Sequence, residues 1–276
     1  MSEVTITTLV SNYVSKLDFL GEKGLSLLIQ YKDKKFLFNT GSGETILVNA
    51  VRLGVDFSSL DAVFLSHGFR GSSEGLENIL SFKPKEVITH PDIFHRRFMR
   101  DNEDLLINVS STLTEERIVE SGTKLTLLTN TTEVFPDVYF SGEIPYSSEG
   151  KPQIGEQFYR YDTGDLLPDE LIEEQFLLLN TKKGFVVICG ATHRGLSSVI
   201  EKAISITKEK RFYLLIGIIN FTDDPATIIT DATMINHYFQ KFAPVCCYSP
   251  KQMAGFYSVF GEKLNCLFIG ETIEVY

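Results

Sequence analysis

The residues able to do chemistry gather where apolar runs end. Residues 60–76 read LDAVFLSHGFRGSSEGL: the run Ala62-Val63-Phe64-Leu65 stops at Ser66-His67-Gly68, and a small, Gly-rich turn follows before Leu76 starts a new periodic segment. That is the pattern of a buried strand delivering one histidine into a loop. Residues 184–195, GFVVICGATHRG, repeat the arrangement with His193 in the loop and Arg194 behind it. An imidazole so placed can ligate a metal or move a proton near neutral pH. Arg70 and Arg194 put a cation suited to an anionic ligand near each histidine. Yet most of what such chemistry needs is missing from the first loop.

The elements that must position these loops come in two runs. Residues 4–10 alternate as a strand, and 24–31 with 35–38 form a hairpin. Asn39-Thr40-Gly41-Ser42-Gly43 makes a tight polar loop before a helix over 44–53 that stops at Gly54. This loop matches no phosphate-binding fingerprint, and a structural turn and an anion cradle both remain open. Strands follow at 62–66 and 86–89. Pro91 opens a helix through His95-Arg96-Arg97-Phe98-Met99-Arg100, its basic cluster either a solvated face or an anchor for an anion. Residues 101–113 read as irregular, Thr114 caps a helix that Gly122 ends, and 124–128 and 138–141 are strands.

Residues 142–170 are rich in Gly, Pro, Tyr and Ser and read as a long lid-like loop. Its Phe158, Tyr159, Arg160 and Tyr161 could stack on a ring-shaped ligand or merely pin the loop. The second run opens with a hairpin over 174–180 and 185–189, then a helix over 196–207 and a strand over 211–217. A helix over 225–242, a strand over 245–248, a helix over 250–260 and strands at 264–268 and 272–275 complete it. Two half-chains, each starting with a hairpin and continuing as alternating strands and helices, predict one α/β domain over 1–276: two mixed sheets flanked by helices.

Composition narrows the partners. The 276 residues carry 26 basic and 36 acidic side chains, a formal charge of -10, which disfavours unaided binding to nucleic acid or anionic lipid. The opening MSEVTITTLV lacks a signal-peptide pattern, and no apolar run approaches a membrane span. Cys189, Cys246, Cys247 and Cys266 lie in or beside strand-like segments without CxxC spacing, as expected of reduced thiols in the cytoplasm. Of the adjacent Cys246-Cys247, one member could face a site. His90, His95 and His237 read as structural.

Many segments in order resemble the metallo-β-lactamase fold superfamily, in the branch of metal-dependent hydrolase-like proteins that includes the dihydropterin/ribofuranosylaminobenzene-phosphate synthases of the methanopterin pathway. The likeness is carried by GLSLLI (24–29), FLFNTGSG (36–43), NAVRLGVDFSSLDAVFLSHG (49–68), HPDIF (90–94), SGEIP (141–145), PDELIEEQFLLL (168–179), GFVVICGATHRG (184–195) and the terminal FIGETIEVY. It implies the four-layer αβ/βα sandwich, with His67 and His193 converging at one cleft.

The resemblance also implies which ligands are gone. The family's HxHxDH loop, which serves two metals about 3.5–4 Å apart, is here His67-Gly68-Phe69-Arg70-Gly71-Ser72, keeping only the first histidine. Arg70 then places a cation where a metal would sit. Asn220 stands for the histidine of a GGFH stretch, Cys246 for that of a His-Cys-Thr-Gly stretch, and Asn39 for the aspartate of FDTG. His67, His193 and Cys246 are the remaining candidate ligands for a single zinc or other divalent metal; otherwise no cofactor is implied. If the cleft is active, His67 and His193 are its catalytic groups. Arg70, Ser72, Arg194, Asn220 and Asn39 are candidate ligand-binding residues. Three readings stay open: a non-hydrolytic protein binding a small anionic or pterin-like ligand or a protein partner; a hydrolase or pterin-pathway transferase with a mononuclear or metal-free site; and a structural subunit of a complex.

Overall fold

The computed structural model describes residues 3–101, 103–148, 150, 157–220, 223–246 and 248–276. The chain runs β1 (Val4–Val10), β2 (Ser26–Tyr31), β3 (Lys34–Phe38), α1 (Ile46–Leu53), β4 (Ala62–Phe64), α2 (Arg70–Ser73), α3 (Leu76–Leu80) and β5 (Glu86–Thr89). It continues through β6 (Arg96–Arg100), β7 (Leu106–Asn108), α4 (Glu115–Glu120), β8 (Lys124–Leu127), β9 (Thr132–Phe135), β10 (Val138–Phe140), β11 (Gln157–Asp162) and β12 (Asp165–Pro168). The second run is β13 (Phe176–Thr181), β14 (Gly184–Cys189), α5 (Leu196–Thr207), β15 (Phe212–Gly217), α6 (Pro225–Tyr238), β16 (Phe239–Pro244), α7 (Pro250–Phe260) and β17 (Thr272–Val275).

Two mixed sheets face each other, one ordered β17-β1-β2-β3-β4-β5-β8 and the other β16-β15-β14-β13-β10-β9. Their strands read as near-continuous apolar runs because each sheet is covered on both sides. Phe64 meets Phe140 across the interior with ring centroids 5.4 Å apart, joining the two sheets in one core. The opposite faces take the helices: Ile46 and Ala50 of α1 with Leu76 and Ile79 of α3 cover the first sheet. Val199 of α5, Ile228 of α6 and Phe256 of α7 cover the second. The predicted four-layer arrangement is therefore the one observed. The loops after β4 and β14 carry His67 and His193 to one rim, where the imidazole centroids lie 5.7 Å apart. No helix among the described residues is long and apolar enough to cross a membrane.

A third sheet, ordered β12-β11-β6-β7, was not foreseen. The helix expected over 91–100 is instead a short 3₁₀ turn, Pro91–Phe94, followed by strand β6. Arg97 and Met99 there alternate with Arg96, Phe98 and Arg100, and pairing of Arg97 with Arg160 and of Phe98 with Tyr159 of β11 decides for the period of two. Residues 157–162 and 165–168 of the expected lid-like loop are thus β11 and β12, while residues 149 and 151–156 of it lie outside the described residues. Residues 106–108, read as irregular, supply the edge strand β7, and β9 was also missed. At the other end, α6 stops at Tyr238, and Phe239–Pro244 runs parallel to β15 in place of the strand expected at 245–248. The strand expected at 264–268 is reduced to one bridge between Phe242 and Leu264.

One side chain fastens the third sheet to the rest. Arg97 is wholly buried; its Nε donates to Asp169 Oδ2 at 2.7 Å and its Nη1 to the Asp92 carbonyl at 2.8 Å. Glu173 Oε1, also wholly buried, lies 3.2 Å from the same Nε. Removing one member of a buried ion group leaves the others desolvated and unpaired. Arg97→Ala is therefore expected to cost about 3–5 kcal/mol in urea unfolding, whereas Arg96→Ala on the solvent face of the same strand should change stability by under about 0.5 kcal/mol.

Candidate functional site

His67 leaves the end of β4 through Ser66, and its ring is fixed at both nitrogens. Asn39, at the end of β3 in the left-handed region (φ 57°), donates through Nδ2 to Ser66 Oγ at 2.9 Å and accepts from the Ser66 amide at 2.9 Å. Ser66 Oγ also bonds His67 Nδ1 at 2.8 Å, and Ser72 Oγ bonds Nε2 at 3.1 Å, so both ring nitrogens are engaged by serine hydroxyls. The relay needs room: a Cβ on Gly190 would lie 1.9 Å from Ser66 Oγ and 2.5 Å from Asn39 Nδ2.

His193 is fixed from the other half. Asn220 Oδ1 accepts from the Thr192 amide at 2.9 Å, which orients the amide so that Nδ2 donates to His193 Nδ1 at 3.1 Å. Nε2 of this ring then carries the proton. The two imidazoles meet edge to face with centroids 5.7 Å apart. Phe69 lies 5.0 Å from His67 and 5.1 Å from His193, and Phe158 of β11 lies 5.0 Å from His193 and 5.3 Å from Phe69. His67 is buried, while His193, Phe69 and Phe158 keep partial access to solvent. The rim of the sandwich thus ends in a four-ring cluster with one open side.

Burial holds both imidazoles neutral: His193 is pushed down to about 4, and His67 falls well below its ordinary value, through desolvation first and then through His193 and Arg97. Beneath the rings runs the segment 173–175. Glu174 accepts from the His193 amide at 2.8 Å and the Arg194 amide at 3.2 Å, and the Gln175 amide donates to the Ser66 carbonyl at 2.9 Å. The segment therefore stitches one histidine loop to the other. Desolvation pushes the Glu173 and Glu174 carboxyls up to about 7.

The expected ligand-binding residues divide. Ser72, Asn39 and Asn220 hold the histidines from behind or beside. Arg70 is exposed, with its charge beside Glu74, and does not fill a metal position; the cation buried next to His67 is Arg97. Arg194 is buried and committed, donating through Nε to the Ile144 carbonyl and through Nη1 to that of Glu170, both at 2.9 Å, with its plane 3.6 Å from the Tyr146 ring. It anchors the segment after β10 and is no open anion site. Cys246 is buried, and Cys247 lies outside the described residues. His90 caps the 3₁₀ turn by accepting from the Asp92 amide, as its structural reading required.

The residues present do not fit a metal. Among the described residues no three His, Cys, Asp or Glu side chains come together to hold one, so His67, His193 and Cys246 do not form the expected ligand set. His193 Nδ1 accepts from Asn220, and both ring nitrogens of His67 are engaged by serine hydroxyls. Sequence reading placed Arg97 only within a basic cluster on a helix, and it passed over Glu173 and Glu174. The signals were the Glu173-Glu174 doublet directly before an apolar strand and an arginine at an inward position of β6.

Comparison with known proteins agrees with this geometry as far as the fold. No protein-family model matches the chain. A curated relative, the 7,8-dihydropterin-6-methyl-4-(beta-D-ribofuranosyl)-aminobenzene-5'-phosphate synthase of Methanocaldococcus jannaschii, is 27% identical over 288 residues, spanning 99% of this chain and 97% of its own. A solved metal-dependent hydrolase of the beta-lactamase superfamily superposes with a TM-score of 0.77 at 22% identity, over 99% of both chains. Zinc-bound PqqB from Methylobacterium extorquens gives a TM-score of 0.60 at 12% identity, over 98% of this chain and 100% of that one. The chain has the metallo-β-lactamase fold.

The raised carboxyls and lowered imidazoles pull stability in opposite directions with pH. Between 4.5 and about 7 folded Glu173 keeps a proton that the unfolded chain has lost, so its contribution is complete below 4.5 and disappears as pH rises through about 7. Folded His193 stays neutral where the unfolded imidazole charges, so its contribution is complete above 6.5 and is lost as pH falls through about 4. Glu173→Gln keeps the neutral form and should lose less stability than the wild type between pH 6 and 8.5, by on the order of 1 kcal/mol in urea titrations. A parallel pH dependence in the two proteins would contradict the assignment.

Proposed function

We propose that this chain is a non-hydrolytic, metal-independent protein of the metallo-β-lactamase fold that binds a small, planar, pterin-like ligand against the open side of the Phe69, His193 and Phe158 rings. The observation that carries the reading is that side chains engage three ring nitrogens whose lone pairs a metal would need: both of His67, by Ser66 and Ser72, and Nδ1 of His193, by Asn220. A hydrolytic site of this fold would need those lone pairs for a metal that activates water. Two phenylalanines instead lie against the histidines, and stacking on such rings is worth about 1–3 kcal/mol for a flat heterocycle. The whole-length likeness to a synthase whose name specifies a dihydropterin supports a ligand of this class. Buried Cys189 and Cys246, with no CxxC pair in the sequence, support a reducing, cytoplasmic setting.

The site's own residues supply binding and orientation. The neutral imidazoles present ring faces and edges, Phe69 and Phe158 exclude water, and the 173–175 segment fixes the spacing of the two loops. Titration of 7,8-dihydropterin into protein treated with EDTA should show saturable binding, unchanged when zinc or manganese is restored. Phe158→Ala and Phe69→Ala should each weaken it about tenfold. Tight, near-stoichiometric zinc or manganese accompanied by phosphodiesterase turnover would sink the proposal and favour the metal-dependent hydrolase reading.

A further inference from the structure

Polar atoms without partners concentrate in the short stretch 173–175, which bonds both histidine loops. Both carboxyl oxygens of Glu173 and the amide oxygen of Gln175 are buried without a hydrogen bond from another residue, Glu173 having only its own amide. Glu173 Oε1 approaches Arg97 Nε to 3.2 Å, but that N–H points to Asp169 Oδ2 at 2.7 Å, so the approach is an ion pair off the hydrogen-bond line. Gln175 cannot turn its oxygen to a donor, because its Nε2 is spent on the Leu128 carbonyl at 2.9 Å. Buried acceptors are nearly always satisfied, and three unsatisfied atoms on residues two apart mark a place where donors are expected from outside the chain. The stretch is not remote from the cluster: Glu174 between them binds the His193 amide, and the Gln175 amide binds Ser66.

We infer that Glu173 and Gln175, backed by Arg97, form a buried acceptor subsite that selects planar heterocycles carrying N–H and NH₂ donors along one edge. This rests on the proposed stacking of a pterin-like ring and adds what the stacking leaves undetermined, namely which edge of the ring is read and with what polarity. Stacking on Phe69 and Phe158 tolerates any flat ring, whereas acceptors in a dry site reject a ligand that brings another acceptor. Arg97 keeps the subsite from accumulating net negative charge, since Asp169 takes its Nε–H and the guanidinium stays beside Glu173. The selected class is therefore an amino-substituted ring with an amidine-like or guanidine-like edge, and a dioxo analogue of the same size is the excluded one.

The test compares pterin (2-amino-4-oxopteridine) with lumazine (2,4-dioxopteridine), which stack alike but differ at the 2-position, by fluorescence titration of the EDTA-treated, full-length protein at pH 8.5, above the point near 7 at which Glu173 ionises. The wild type should bind pterin about tenfold more tightly than lumazine. Glu173→Gln replaces one acceptor oxygen by an NH₂ donor, so its preference should shift toward lumazine. Glu173→Leu should bind both alike, and thermal melting checks that each variant is folded; the isosteric Gln variant keeps the comparison available if the Leu variant does not fold. Equal affinity of the wild type for the two rings, with Phe158→Ala weakening both, overturns the acceptor subsite and leaves the stacking site standing. A preference unchanged in the folded Glu173→Gln variant also overturns it. Binding of neither ring overturns the pterin-like reading, and the subsite with it.

Discussion

A guanidinium sealed from water has to be surrounded by acceptors, and the rim of this molecule is arranged around that demand. Arg97 has no exposed surface, and its partners come from three places: the Asp92 carbonyl just before its own strand, Asp169 after β12, and Glu173 before β13. Those partners fix the third sheet against the second half-chain and bring Phe158 over His193. The cation also lies close enough to His67 to disfavour its protonation. The clamped sheet and the aromatic cluster thus share one electrostatic cause, while burial holds both histidines neutral and Arg97 adds to it at His67. With His67 and His193 uncharged, the buried acids must be balanced from elsewhere, and Arg97 does so.

The two loops show how a scaffold keeps its geometry while its chemistry changes. Asn39 holds Ser66 with a donor and an acceptor at once, which an aspartate could not do, and Ser66 Oγ in turn bonds His67 Nδ1. Asn220, held by the Thr192 amide, donates to His193 Nδ1 and leaves that ring's proton on Nε2. Each half-chain thus uses one asparagine to fix its histidine from the side.

Much of the sandwich was legible in the sequence because its signals are local and strong. Alternation or apolar runs mark β1 to β5 and β13 to β15; apolar spacing marks α5, and α7 also has a capping box of Ser249 with Gln252. The third sheet was not legible. Arg96–Arg100 has two apolar residues among five, and its extended form is decided by β11, some sixty residues away in sequence. The end of α6 failed for a related reason: Phe239–Phe242 continues an apolar pattern compatible with either state, and pairing to β15 settles it.

For the site, residue identity was legible and electrostatic role was not. His67 and His193 do converge, but the sequence assigned the buried positive charge to Arg70, which stands in the HxHxDH register, instead of Arg97, whose inward direction depends on a strand that only tertiary pairing creates. The same dependence hid Glu173 and Glu174. A doublet of acids before an apolar strand ordinarily marks a solvated turn, and burying it becomes tolerable only when a cation and backbone donors are supplied from other segments. Glu174 receives two amides from the His193 loop, whereas Glu173 receives only its own amide and the flank of Arg97. That inequality separates their roles: Glu174 is a structural staple between the loops, and Glu173 retains unused acceptor capacity beside Arg97.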